Sequence, residues 1–129
     1  GILLSVDETV LYVVMSADQG LMSYKVKSPG VIAKGKIFFK TEIPAGQRKP
    51  SYGDGLACDK SGNLYVTVPS AKRLQVISPK GELLAYINCK TVPANCCFGG
   101  TDNQYLYVTA GSEVLKIKTP IKGHVFQRD

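Results

Sequence analysis

Short apolar runs alternate along this chain with polar turns that carry glycine or proline, and no stretch keeps a helical period. The clearest block runs from Leu56 to Ile87. Leu56-Ala57-Cys58 is small and apolar, Lys60-Ser61-Gly62-Asn63 has turn chemistry, and Leu64 to Val68 is rich in β-formers. Gly62 suits the left-handed conformation that tight hairpin loops require. Ser78-Pro79-Lys80-Gly81 places Pro early and Gly late, as a type I turn with a bulge does. The block predicts four strands: Leu56–Cys58, Asn63–Val68, Arg73–Ile77 and Glu82–Ile87. The fold class is all-β.

The same block recurs. Leu-Tyr-Val stands at Leu11, Leu64 and Leu106, about 53 and 42 residues apart, with Asp7, Asp59 and Asp102 just before each copy. In the first copy Ile2–Leu4, Val10–Met15, Leu21–Val26 and Lys36–Lys40 fit the four strand places. In the third, Cys96–Phe98, Tyr105–Thr109 and Glu113–Ile117 fit three, and His124-Val125-Phe126-Gln127 is expected to supply the fourth. This is the period of β-propeller blades. We expect one partial propeller over residues 1–129, with blades roughly at 1–45, 53–92 and 94–129. A polar link, Thr41–Gly53, carries Pro44, Gly46 and Pro50. Closed propellers have about four to eight blades. Three would leave two blade faces open, which implies further blades or a partner chain.

Composition narrows the partners. No apolar run approaches the ~18 residues of a membrane span, and the chain begins at Gly1 with no signal-peptide pattern, as a processed chain does. A cytoplasmic protein without a membrane partner is expected. The net charge is +6, and Lys25, Lys27, Lys34, Lys36 and Lys40 crowd one region around Phe38 and Phe39. Lysines of this kind keep an edge strand solvated and unpaired, so no nucleic-acid partner is expected. The four cysteines lack zinc-finger spacing. Cys96 and Cys97 point to opposite faces of a strand and do not pair with each other. Four reduced thiols are expected, with Cys58 and Cys97 packed as small core hydrophobes. The single histidine, His124, lies near the C-terminus, away from any obvious nucleophile.

One carboxylate has unusual surroundings. Asp54 sits between Gly53 and Gly55 at the start of the innermost strand of the middle block. A turn aspartate and a metal ligand both fit that segment. Aligning the repeats sets Asp54 against Asn95 and against the position preceding Gly1, so the three would approach the propeller channel together. Their oxygens suit Ca²⁺ or Mg²⁺ and admit Mn²⁺ or Zn²⁺.

With these motifs in place, the chain resembles the regucalcin (senescence marker protein)/gluconolactonase/luciferin-regenerating-enzyme-like family of six-bladed propellers, over the C-terminal half of a member. The resemblance rests on Gly1 to Glu8 running into Leu11-Tyr12-Val13, on Gly53 to Asp59 with Gly62 to Val66, and on Asn95 to Gly100 with Leu106 to Thr109. It implies one divalent ion in the channel and hydrolysis of a sugar lactone or other lactone. Family ligands are a glutamate of an early blade, an asparagine before a Gly of the fourth, and an aspartate in an Asp-Gly pair of the fifth. Only the last maps here, onto Asp54, expected as metal ligand and general base. The asparagine would precede Gly1. Asn95 is a candidate channel-facing or substrate-binding residue. The implied activity belongs to a ring completed by the N-terminal half or by a second copy of the chain. The alternatives are a non-catalytic calcium- or sugar-binding propeller and a scaffold that binds a partner chain.

Overall fold

The computed structural model describes residues 1–126. Its secondary structure is twelve strands and one 3₁₀ turn at Pro69–Ala71. The strands are β1 (Ile2–Leu4), β2 (Val10–Val14), β3 (Gly20–Ser28), β4 (Val31–Ile32), β5 (Lys36–Lys40), β6 (Leu56–Cys58), β7 (Leu64–Val68), β8 (Arg73–Ile77), β9 (Leu83–Asn88), β10 (Pro93–Gly99), β11 (Tyr105–Ala110) and β12 (Glu113–Lys118). They form three antiparallel meanders: β1-β2-β3-β5 with β4 on the end of β3, β6-β7-β8-β9, and β10-β11-β12. The sheets stack face to face, with β1 beside β6 and β6 beside β10. That is the radial arrangement of neighbouring propeller blades.

Strand alternation makes the stacking possible, since each sheet sends every second residue to one neighbour. Tyr12, Val14 and Leu21 of the first sheet meet Leu56, Cys58, Leu64, Val66, Val68 and Ile77 of the second. The second sheet's other face sends Ala57, Tyr65, Leu74 and Val76 against Cys96, Leu106 and Val108 of the third. Leu21, Leu64, Leu74, Ile77 and Leu106 are fully buried, and each such side chain stabilises the fold by about 1.5–3 kcal/mol. Tyr65 adds an edge-on contact with the Phe98 ring at 5.1 Å.

Two of the three repeated aspartates, Asp7 and Asp59, build the turns that set this register. Asp59 is fully buried. Its Oδ1 accepts the Ser61 and Asn63 amides at 2.9 and 3.0 Å. Its Oδ2 accepts Asn63 Nδ2 at 2.9 Å and the Tyr65 hydroxyl at 3.2 Å. Burial, then the Asp59 charge, pushes the Tyr65 phenol well above its ordinary value, so it stays the donor. Asp7 does the same work at the surface, accepting from the Ser5 and Thr9 hydroxyls at 2.6 and 2.9 Å. Those bonds hold its carboxyl below the ordinary range.

Three expectations require correction. The third sheet takes no strand from His124-Val125-Phe126, and Gln127 lies outside the described residues. The tail instead crosses the turn end of the inner strands. Gly123 bridges to Asp59, the His124 amide donates to Cys58 O at 3.0 Å, and Phe126 packs on the core between the first two sheets. Secondly, the buried thiol of β10 is Cys96, while Cys97 is exposed; all four cysteines are free. Cys96 lies opposite the buried Val108 as Leu56 lies opposite Val66, so Asn95 takes the place of Gly55. The inner strand of the third sheet is thus one residue out of step with the expected alignment of Asp54 with Asn95. Thirdly, β3 outruns its partners and folds back through β4, a pairing that the alternation pattern does not mark.

Candidate functional site

The first residues of the three inner strands converge at one end of the stack, and glycines permit it. A Cβ at Gly1 would overlap the Asp54 carbonyl oxygen. A Cβ at Gly53 would overlap the Val14 side chain, and one at Gly55 would overlap Asn95 Oδ1 and stand 2.6 Å from Asn95 Cα. Asp54 is thus bracketed by the approach of Val14 on one side and Asn95 on the other.

Hydrogen bonds hold this junction. Ser16 Oγ donates to Gly53 O at 2.9 Å. The Asp54 amide donates to Thr67 O at 3.1 Å, and the Thr67 amide to Gly55 O at 3.0 Å. The Gly55 amide donates to Thr67 Oγ1 at 2.7 Å. Thr67 Oγ1 then donates to Ala94 O at 2.8 Å, which ties the middle inner strand to the start of β10. Across β10 the Asn95 amide donates to Thr109 Oγ1 at 3.0 Å. The link from the first sheet is anchored by the buried Gln75, whose Oε1 accepts the Glu42 amide at 3.1 Å while its Nε2 donates to Glu42 O at 2.6 Å.

Asp54 and Asn95 are both exposed at this junction. Among the described residues, no hydrogen bond or ion pair engages the Asp54 carboxylate. Asn95 Oδ1 accepts the Cys96 amide at 2.8 Å and keeps one lone pair. Two neutral or anionic oxygen donors on adjacent strand starts match the chemistry of a hard divalent cation. Such an ion takes about six to eight oxygens. Among the described residues no group of three or more His, Cys, Asp or Glu side chains comes together to hold one. The donor chemistry fits and the donor number is partial. His124 lies at the opposite end of the inner strands, its ring edge-on to Phe126 at 4.6 Å.

Sequence reasoning singled out Asp54 and Asn95 but passed over Thr67. Its one signal is a polar residue inside the apolar run Leu64–Val68.

The model of the SMP-30/Gluconolactonase/LRE-like region matches residues 1–112 of this sequence. The chain belongs to that family. A gluconolactonase of Zymomonas mobilis is 33% identical over 129 residues, covering 95% of this chain and 35% of the relative. Two solved structures share the fold. One is a luciferin-regenerating enzyme, with a TM-score of 0.81 at 24% identity, covering 95% of this chain and 46% of that one. The other is a calcium-binding regucalcin of Agrobacterium tumefaciens, with a TM-score of 0.73 at 22% identity, covering 88% and 38%. The chain therefore spans less than half the length of each of these family members.

No helix among the described residues is long and apolar enough to cross a membrane.

Proposed function

We propose that this chain is the part of a metal-dependent lactonase that carries Asp54 as a metal ligand and general base, in a propeller completed by further blades. The observation that carries the reading is the Asp54 carboxylate itself. It is exposed and unbonded among the described residues, at a junction that glycines clear on both sides. The 33% identical gluconolactonase supports lactone chemistry, and the calcium-binding relative supports a divalent ion. Asp54 and Asn95 would hold the ion together with oxygens from outside this sequence. When bound, it would polarise the lactone carbonyl and acidify a water. Asp54 accepts the proton of the water that attacks the carbonyl carbon, then returns it to the ring oxygen as the carbon–oxygen bond breaks. The Asn95 amide would orient the lactone.

The test uses the longest natural protein that contains this chain. Calcium titration by calorimetry and hydrolysis of gluconolactone are compared for wild type and Asp54→Asn. Loss of at least tenfold in affinity, together with loss of hydrolysis, is expected. Unchanged affinity in the variant refutes the assignment. A second reading, non-catalytic calcium binding, is favoured by the calcium-binding relative. It predicts that affinity falls in Asp54→Asn while wild type hydrolyses no lactone.

A further inference from the structure

We propose that Thr67 is the positioning residue of this site, setting the distance between the segments that carry Asp54 and Asn95. This rests on the reading of Asp54 and Asn95 given above. Thr67 is fully buried in a strand whose other members are apolar. Its hydroxyl has one proton and two acceptor lone pairs. The proton goes to Ala94 O at 2.8 Å, and a lone pair takes the Gly55 amide at 2.7 Å. Gly55 follows Asp54, and Ala94 precedes Asn95. One hydroxyl therefore clamps the backbone next to both site residues, across two sheets.

The three repeats differ at this place. The residue after Leu-Tyr-Val is Val14 in the first copy, Thr67 in the second and Thr109 in the third. Val14 closes its junction by van der Waals contact at Gly53. Thr109 accepts the Asn95 amide at 3.0 Å as Thr67 accepts the Gly55 amide, on a face of the third sheet that no neighbouring sheet covers among the described residues. Among the described residues, Thr67 is the one of the three whose side chain bonds to a neighbouring sheet. Valine has the shape of threonine without the hydroxyl, so Thr67→Val leaves the Gly55 amide and the Ala94 carbonyl without their partner while the packing volume is kept.

The experiment has two arms in the longest natural protein containing this chain. Hydrogen–deuterium exchange reads the clamp directly and needs no ion. Exchange in the segments around Gly55 and Asn95 should quicken at least tenfold in Thr67→Val and return to near wild type in Thr67→Ser. The second arm measures calcium affinity. Thr67→Val should weaken it at least tenfold, and Thr67→Ser should restore it to within about threefold. Asp59→Asn, which loosens the turn at the opposite end, lowers the melting temperature and should leave affinity unchanged. Exchange unaltered in Thr67→Val overturns the proposal. So does unaltered affinity when Asp54→Asn has lost it. If exchange quickens but Asp54→Asn binds as wild type, the clamp stands and the reading of Asp54 fails.

Discussion

Asp54 and Asp59 lie five residues apart in one glycine-rich segment and meet opposite fates. Asp59 is fully buried and spends both oxygens on its own turn and on Tyr65. Asp54 is exposed, and no hydrogen bond among the described residues engages its carboxylate. A buried carboxylate must be fully bonded to be tolerated, so Asp59 has nothing left to offer a ligand. The cysteines divide in the same way. Burial pushes the Cys58 thiol up to about 11 and the Cys96 thiol up to about 12. Alkylation requires the thiolate. At pH 8, iodoacetamide should therefore label the exposed Cys97 first, with Cys58 and Cys96 reacting only in denaturant. Peptide mass spectrometry reads the order, and equal labelling of Cys96 and Cys97 would contradict it. The native values lie above the ordinary 9.0 of a thiol. Neutral burial of these groups thus favours folding at lower pH, and that contribution is lost as pH rises above 9.0 and through the native values.

Among the elements, the tail after β12 differs most from its expected role. Thr119 Oγ1 donates to Gln104 O at 3.1 Å and the Gly123 amide to Asn103 O at 2.7 Å, steering the chain inward across the turn end. The close approach needs a glycine, because a Cβ at Gly123 would overlap the Phe98 side chain. Gly123→Val should destabilise the protein by about 1–3 kcal/mol through this overpacking, read as an earlier midpoint in urea. A wild-type midpoint would mean that the tail is not seated there. With the tail drawn inward, the outer edge of β12 carries no partner strand among the described residues. β12 has Glu113, Lys116 and Lys118 exposed along it, charges that discourage unwanted pairing.

Of the six faces of the three sheets, four are covered by neighbours and two are open among the described residues. The open face of the first sheet carries an apolar row, Ile2, Val13, Met22 and Ile37, paired across four strands. Ile2 is 67% and Ile37 55% exposed. The open face of the third sheet is mixed, with Val114 68% exposed and Lys116 lying over the Tyr105 ring at 4.2 Å. Contiguous apolar surface of this kind seeks cover. The 129-residue chain by itself should therefore self-associate at micromolar concentration, and Ile2→Lys with Ile37→Lys should reduce that association. Sedimentation velocity measures it. A wild-type chain that sediments as a compact monomer would contradict the expectation.

What the sequence determined by itself was local. Period-two alternation and turn residues locate most strands within a residue or two, as at Leu56–Cys58 and Arg73–Ile77, because a strand's pattern and its turns are written in adjacent positions. The threefold Leu-Tyr-Val spacing carries the propeller, and the glycines around Asp54 mark a crowded junction. Tertiary structure decided the rest. Alternation cannot say which parity faces inward, and the pairing of Cys96 with Val108 in the core between the second and third sheets settles that Cys96 is buried and Cys97 is not. The strand-forming composition of His124-Val125-Phe126 is outweighed by the bridge from Gly123 to Asp59 and by the seat of Phe126 on a core built from Tyr12 to Ile77. Thr67 acquires its place from Ala94, a partner in another sheet. Each of these outcomes depends on contacts between residues distant in the chain, and only the packing of the three sheets brings those residues together.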